Sequence, residues 1–244
     1  SEGLGKACAM ALARCGVDVV INGRSPEKLA ATAAEIMRAT GTRVRAAIAD
    51  VTTAEGRAAL LAMESAPDIL VNNAGGPPPG DFRSWTEDAW LKAVNANMLS
   101  AIALTTTTVK GMAERRWGRI ISITSTSVKA VAPMLGLSTA ARAGLTGFTA
   151  TLAREVAPHG VTVNNLLPGF FETGRLQRYF ADLAASKGIT PEEARAERVA
   201  EVPVRRPGNP EEFGVWCAFL ASAHAGYVTG QNLVLDGGAF PGVI

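Results

Sequence analysis

The stretch Gly118-Arg-Ile-Ile-Ser-Ile-Thr-Ser-Thr-Ser127, with Leu137-Ser-Thr-Ala-Ala-Arg-Ala-Gly-Leu145 after it, decides how the chain is read. Ile120 to Ile123 predicts a short strand, apolar enough to be covered on both faces. A Ser/Thr tip, Thr124 to Ser127, follows, then a loop and a helix from Ser138 to Ala157. A strand that runs into a helix of more than ten residues is half of a βαβ unit.

The same alternation extends outward in both directions. Upstream come an Ala-rich helix Ala7 to Arg14 that stops at Gly16, a strand Val17 to Ile21, and a helix Pro26 to Thr40 behind Ser25. A strand Val44 to Ala49, a helix Ala54 to Ser65 capped by Thr53, and a strand Ile69 to Val71 follow. A long helical region from Thr86 to Arg116 reads as interrupted. Downstream come a strand Val161 to Leu167, a polar helical segment Thr173 to Glu201, a helix Pro210 to Ser222 and a strand Asn232 to Leu235. Alternation of this kind predicts an α/β fold, a doubly wound parallel sheet, over residues 1–244 as one domain. A small helical lid is expected at about 170–207.

The totals narrow the function classes. With 244 residues and a net charge of +2, the chain has neither the basic field of a nucleic-acid binder nor an apolar run long enough to span a bilayer. Cys8, Cys15 and Cys217 are scattered and read as buried free thiols in a reducing cytoplasm, without metal-ligand spacing.

Ligands of a doubly wound sheet bind outside the carboxyl ends of its strands, so those ends form a list of candidate residues. They are Asn22-Gly23-Arg24, Asp50-Val51, Asn73-Ala74-Gly75, Thr124-Ser125 and Pro168-Gly169. Gly3-Leu4-Gly5 at a helix start can turn backbone N–H groups and the helix dipole toward a phosphate. The strand that follows ends in Arg24 with no acid, which favours a 2′-phosphate, and hence NADP(H), over NAD(H). Glu2 argues slightly against a nearby phosphate.

With these residues in place, the sequence resembles the short-chain dehydrogenase/reductase family over essentially its whole length. Gly3 and Gly5 match the last two glycines of the family's Thr-Gly-x-x-x-Gly-x-Gly motif. Asp50 matches its adenine-side acid, Asn72-Asn73-Ala74-Gly75 its Asn-Asn-Ala-Gly element, and Pro168-Gly169 with Thr173 its nicotinamide-side turn. Tyr227 to Gly238 matches the closing strand and loop. The resemblance implies a Rossmann fold, with Ser1, Gly3, Leu4, Gly5, Arg24, Asp50, Val51, Asn73, Ala74, Gly75, Arg142, Pro168, Gly169 and Thr173 around the cofactor. It also places the family's first strand before Ser1, so roughly a dozen further N-terminal residues are expected by analogy with the complete fold.

For the chemistry the family uses Asn, Ser, Tyr and Lys. Asn97, counted from Trp90, takes the first role in preference to Asn95, and Ser125 takes the second. The Tyr and Lys positions, thirteen and seventeen residues after Ser125, hold Ser138 and Arg142. The resemblance therefore implies an NAD(P)-dependent oxidoreductase acting on a small carbonyl or alcohol, with an altered acid/base. Two alternatives stand beside it: a catalytically impaired nucleotide-binding protein, and another reaction on bound nucleotide. Lys129 and Tyr179 are candidate replacements for the acid. Tyr227 reads as structural, and His159 and His224 as surface or capping residues. Arg175, Arg178, Arg195 and Arg198 of the lid read as a solvated helix face that is able to meet an anionic substrate. A homo-oligomer, dimer or tetramer, is the family's default.

Overall fold

Glycines and prolines punctuate the chain where the elements change. The computed structural model describes residues 2–242. Helix α1 (Gly3–Arg14) starts at Gly3 with φ +60°, a left-handed conformation that glycine adopts without strain. Its C-terminus closes on Cys15 and Gly16, and the Val17 N–H reaches back to Leu12 O at 3.2 Å, so strand β1 (Val19–Gly23) begins two residues later than the apolar run suggests. Cys8 and Cys217 are buried, but Cys15 is exposed, because a helix C-cap faces solvent here.

Helix α2 (Pro26–Thr40) ends on left-handed Gly41, and strand β2 (Val44–Ile48) returns parallel to β1. Helix α3 (Ala54–Met63) is capped by Thr53, whose side chain accepts from the Gly56 N–H at 3.0 Å. Strand β3 (Ile69–Asn72) leads through a Gly/Pro loop to helix α4 (Glu87–Val94). The predicted interruption of the long helix is a π-helical turn, Asn95–Leu99, which passes into helix α5 (Ser100–Glu114). Strand β4 (Gly118–Ile123), helix α6 (Gly136–Val156) and strand β5 (Val161–Pro168) follow. The polar lid segment is two helices, α7 (Gly174–Lys187) and α8 (Pro191–Ala200), separated at left-handed Gly188. Helix α9 (Pro210–Ala221) and strand β6 (Asn232–Leu235) complete the order.

All strand pairs are parallel, but they form two sheets, β1-β2 and β3-β4-β5-β6. Among the described residues no strand lies between β1 and β3. A channel of about 1000 Å³ runs there, lined by Ile21 of β1, Val71 of β3, and Cys8 and Leu12 of α1. The two halves are joined by helix packing. α1 lies against α9, and Gly214 permits the contact, since a Cβ there would stand 2.5 Å from Ala7 O. Phe213, fully buried and edge-on to Phe171, anchors this core with Leu29, Ile36, Leu166 and Leu220. Burying such a side chain contributes about 1.5–3 kcal/mol.

Candidate active site

The sequence-predicted residues gather at the carboxyl ends of β1 to β5 and at the start of α1. At the start of α1, Glu2 places no side-chain acceptor on the first-turn N–H groups. Its carboxylate turns to Lys28 at 3.4 Å, which offsets its charge there. Gly5 faces the loop after β3, and a Cβ in its place would meet Asn73 Nδ2 at 2.6 Å. Glycine at this position is what lets Asn73 close against the helix. Gly3 stands next to Thr173, with a Cβ distance of 3.6 Å to the threonine methyl. Leu4 packs into the main core. Ser1 lies outside the described residues.

Asp50 accepts from the Thr52 hydroxyl at 2.7 Å and the Thr52 N–H at 2.9 Å, and these bonds hold its carboxyl below the usual range. Arg24, mostly exposed at the end of β1, lies 3.9 Å from the Asp50 carboxylate. The carbonyl of Val51 accepts from Arg57 at 2.9 Å. On the opposite side, the Gly169 N–H donates to Leu235 O at 2.9 Å, and Thr173 caps α7 by accepting from the Leu176 N–H.

The reactive end lies beyond β4. Asn97 is buried in the π-turn, where its amide donates to Ala93 O at 3.3 Å and its Oδ1 has no partner. Asn95 points elsewhere and donates to Thr52 O at 3.0 Å. Ser125 precedes a single 3₁₀ turn, and its Oγ accepts from the Ser127 N–H at 3.1 Å. Ser138 and Arg142 are one helical turn apart on α6, and both are buried. Arg142 Nε donates to Ser138 Oγ at 3.2 Å. Its Nη1 donates to Ile123 O at 2.7 Å and Thr124 O at 2.8 Å, and its Nη2 to Ala74 O at 3.4 Å. One guanidinium thus ties the ends of β3 and β4 to α6, with no carboxylate among its partners. Burial, and secondarily the nearby charge of Arg175, lower its pKa from the ordinary arginine value to about 10. It remains a cation at neutral pH.

Two candidate acids make other contacts. Lys129 is exposed and turned over the Phe240 ring at 5.9 Å. Tyr179 packs between Phe170 and Phe180 in the lid. Tyr227, which the sequence reads as structural, projects fully into solvent. His159 and His224 are exposed at the ends of short helical turns, as expected. Arg175 is exposed, as the sequence suggests, but it is set apart from the solvated face of α7. It reaches over the loop after β3, and Nη2 donates to Pro77 O at 3.4 Å. The only signal was its place two residues after Thr173.

A parallel α/β fold with its polar residues collected at strand carboxyl ends belongs to the nucleotide-binding doubly wound class. A family model described as enoyl-(acyl carrier protein) reductase matches residues 1–239. The 3-oxoacyl-[acyl-carrier-protein] reductase FabG of Pseudomonas aeruginosa is 35% identical over 249 residues, covering 98% of this chain and 94% of that protein. Among solved structures, YwfH, an NADPH-dependent reductase involved in bacilysin biosynthesis, superposes with a TM-score of 0.93 at 26% identity, covering 99% of this chain and 96% of that one. L-sorbose reductase from Gluconobacter frateurii, complexed with NADPH and L-sorbose, superposes with a TM-score of 0.93 at 28% identity, covering 99% and 94%. The chain belongs to the short-chain dehydrogenase/reductase family.

Proposed function

We propose that this protein is an NADP(H)-dependent oxidoreductase that moves a hydride between the nicotinamide and a small carbonyl or alcohol, with Ser138 and Arg142 in place of the family's Tyr and Lys. The reductases among its relatives, two of them named with NADPH, support this reading. The observation that carries it is the buried bond from Arg142 Nε to Ser138 Oγ at 3.2 Å. It fixes a hydroxyl and a positive charge side by side at the strand ends.

The residues present fit the cofactor. The uncapped start of α1 with Gly3, Leu4 and Gly5 suits its diphosphate, Arg24 its 2′-phosphate, Asp50 and Val51 its adenine, and Asn73, Ala74 and Gly75 the intervening ribose side. Pro168, Gly169 and Thr173 suit the nicotinamide, with Arg142 facing the ribose. When bound, the nicotinamide supplies or accepts the hydride.

The chain's own residues position the oxygen and its proton. Ser125 Oγ–H donates to the substrate oxygen. Ser138 Oγ already accepts from Arg142, so its O–H is left to orient a water that gives the oxygen its proton and regains one from bulk solvent through a relay of waters. The Arg142 cation stabilises the negative charge that develops there. Asn97 Oδ1, buried and unpartnered, accepts from a water in that relay. A serine hydroxyl is a far weaker acid than a phenol, so the design forgoes about 10²–10⁴ in rate relative to a positioned acid/base. The protein acts as a homo-oligomer, dimer or tetramer, in the cytoplasm, and exposed Trp216 and Phe219 on α9 offer apolar surface for contact between copies.

The test is to titrate NADPH and NADH by fluorescence and then follow NADPH absorbance with a panel of ketones and aldehydes. The expected result is tighter binding of NADPH than of NADH, with slow turnover. Binding without turnover on any carbonyl overturns the reading and leaves a catalytically impaired nucleotide-binding protein.

A further inference from the structure

Four lid arginines look equivalent in the sequence, and the structure separates them. Arg195 is engaged by Glu172 at 2.6 Å and Arg198 by Glu201 at 2.5 Å. Among the described residues, neither Arg175 nor Arg178 has a carboxylate within ion-pair distance, and the one hydrogen bond of Arg175 goes to Pro77 O.

Arg175 lies flat on the loop that follows β3. A Cβ at Gly76 would meet its Nη1 at 2.7 Å and its Nη2 at 2.8 Å, so glycine at 76 is what admits the guanidinium. Arg142 bonds to the same loop, through Ala74 O. The two cations therefore bracket residues 74–77 at the mouth of the candidate active site. Their charges are mutually felt: after burial, Arg175 lowers the pKa of Arg142, and Arg178 likewise lowers that of Arg175. Arg142 is buried, Arg175 and Arg178 are exposed, and among the described residues no acid is paired with any of them, so an anion at this mouth meets positive charge that the protein leaves uncompensated. Planar guanidinium forks suit carboxylate and phosphate oxygens.

We propose that Arg175, assisted by Arg178, binds an anionic group on the substrate, so that the preferred substrates are carbonyl compounds bearing a carboxylate or phosphate. This rests on the oxidoreductase reading above for the identity of the substrate, though not for the binding of the anion. The same oxyanion chemistry occurs in the cofactor diphosphate, and the test separates the two sources.

The probes are acetoacetate and 2-oxobutyrate, each beside its uncharged ethyl ester. They are applied to the full chain and to Arg175→Gln, with Arg195→Gln as a control for a paired lid arginine. In the wild type, kcat/KM is expected to favour each acid over its ester. In Arg175→Gln the acids should lose about 10–100-fold, mainly through KM, while the esters and the NADPH Kd stay within about threefold. Arg195→Gln should leave the acid-to-ester ratio unchanged. Equal losses for acid and ester overturn the proposal. A tenfold rise in NADPH Kd alone also overturns it, because the anion is then the cofactor diphosphate. A binding arm is independent of turnover: in the NADP⁺-loaded protein, acetoacetate should raise the melting temperature of the wild type and not of Arg175→Gln. Such a shift without turnover keeps the anion site and sinks the oxidoreductase reading. No shift by the acids beyond the esters sinks the anion site.

Discussion

Replacing Arg142 with methionine should destabilise the fold by at most about 3 kcal/mol at neutral pH, less than the loss of a buried ion pair. Two opposed quantities set this figure. Arg142 gives the carbonyls of Ile123 and Thr124 bonds of 2.7 and 2.8 Å, and leaving a buried carbonyl unpartnered costs about 1–3 kcal/mol each. Against that, the fall of its pKa from the ordinary arginine value to about 10 is a charging cost of about 3 kcal/mol that methionine does not incur. No carboxylate is stranded by the change, because none is paired with Arg142. The pH dependence has a definite sign. Arg142 is a cation whose folded pKa lies below its unfolded one. Its cost is therefore fully present below pH 10 and is relieved as the native state sheds a proton that the unfolded chain still holds. Above about pH 10, the wild type should gain on Arg142→Met by up to about 1.4 kcal/mol per pH unit until the unfolded chain also loses the proton. Urea denaturation of both proteins at pH 7, 9 and 10.5 measures this. A stability gap that narrows with rising pH, or a loss above about 5 kcal/mol at pH 7, would refute the assignment of Arg142 as a desolvated cation held by carbonyls.

Two further outcomes are expected. Arg24→Ala should weaken NADPH about five- to twentyfold while leaving NADH within about twofold, since an exposed guanidinium pairs only with a 2′-phosphate; fluorescence titration decides it, and equal losses for both cofactors place Arg24 outside the site. Gly56→Ala should cost about 1–3 kcal/mol and loosen the Asp50 turn, because its Cβ would fall 1.9 Å from Asp50 O, a backbone atom that cannot move alone; an unchanged denaturation midpoint contradicts that packing.

Much of this was legible in the sequence. The alternation of short apolar runs with helix-length segments gave the α/β class, and α2 and β6 begin and end where their prolines, glycines and apolar runs place them. The break in the long helix was also visible, because Asn95 and Asn97 are poor helix-interior residues, but its π-turn form was not. The lid read as one segment because its polar periodicity continues across Gly188, whose left-handed backbone ends α7. The parallel strands of the expected doubly wound fold stand as β1-β2 and β3-β4-β5-β6 among the described residues. The Ser138–Arg142 bond follows from helical spacing. The three carbonyls that hold Arg142 lie far away in the chain and could not be read, nor could the separation of Arg175 from its paired neighbours, which depends on where α7 and α8 pack.

The most direct test of the account restores the family pair. Ser138→Tyr combined with Arg142→Lys, assayed by single-turnover reduction with NADPH, should raise the rate of the chemical step by about 10²–10⁴ over the wild type. NADPH Kd should remain within about threefold. An unchanged or lower rate, in a variant that still binds NADPH and melts within a few degrees of the wild type, would contradict the claim that Ser138 and Arg142 occupy the acid/base position of this protein.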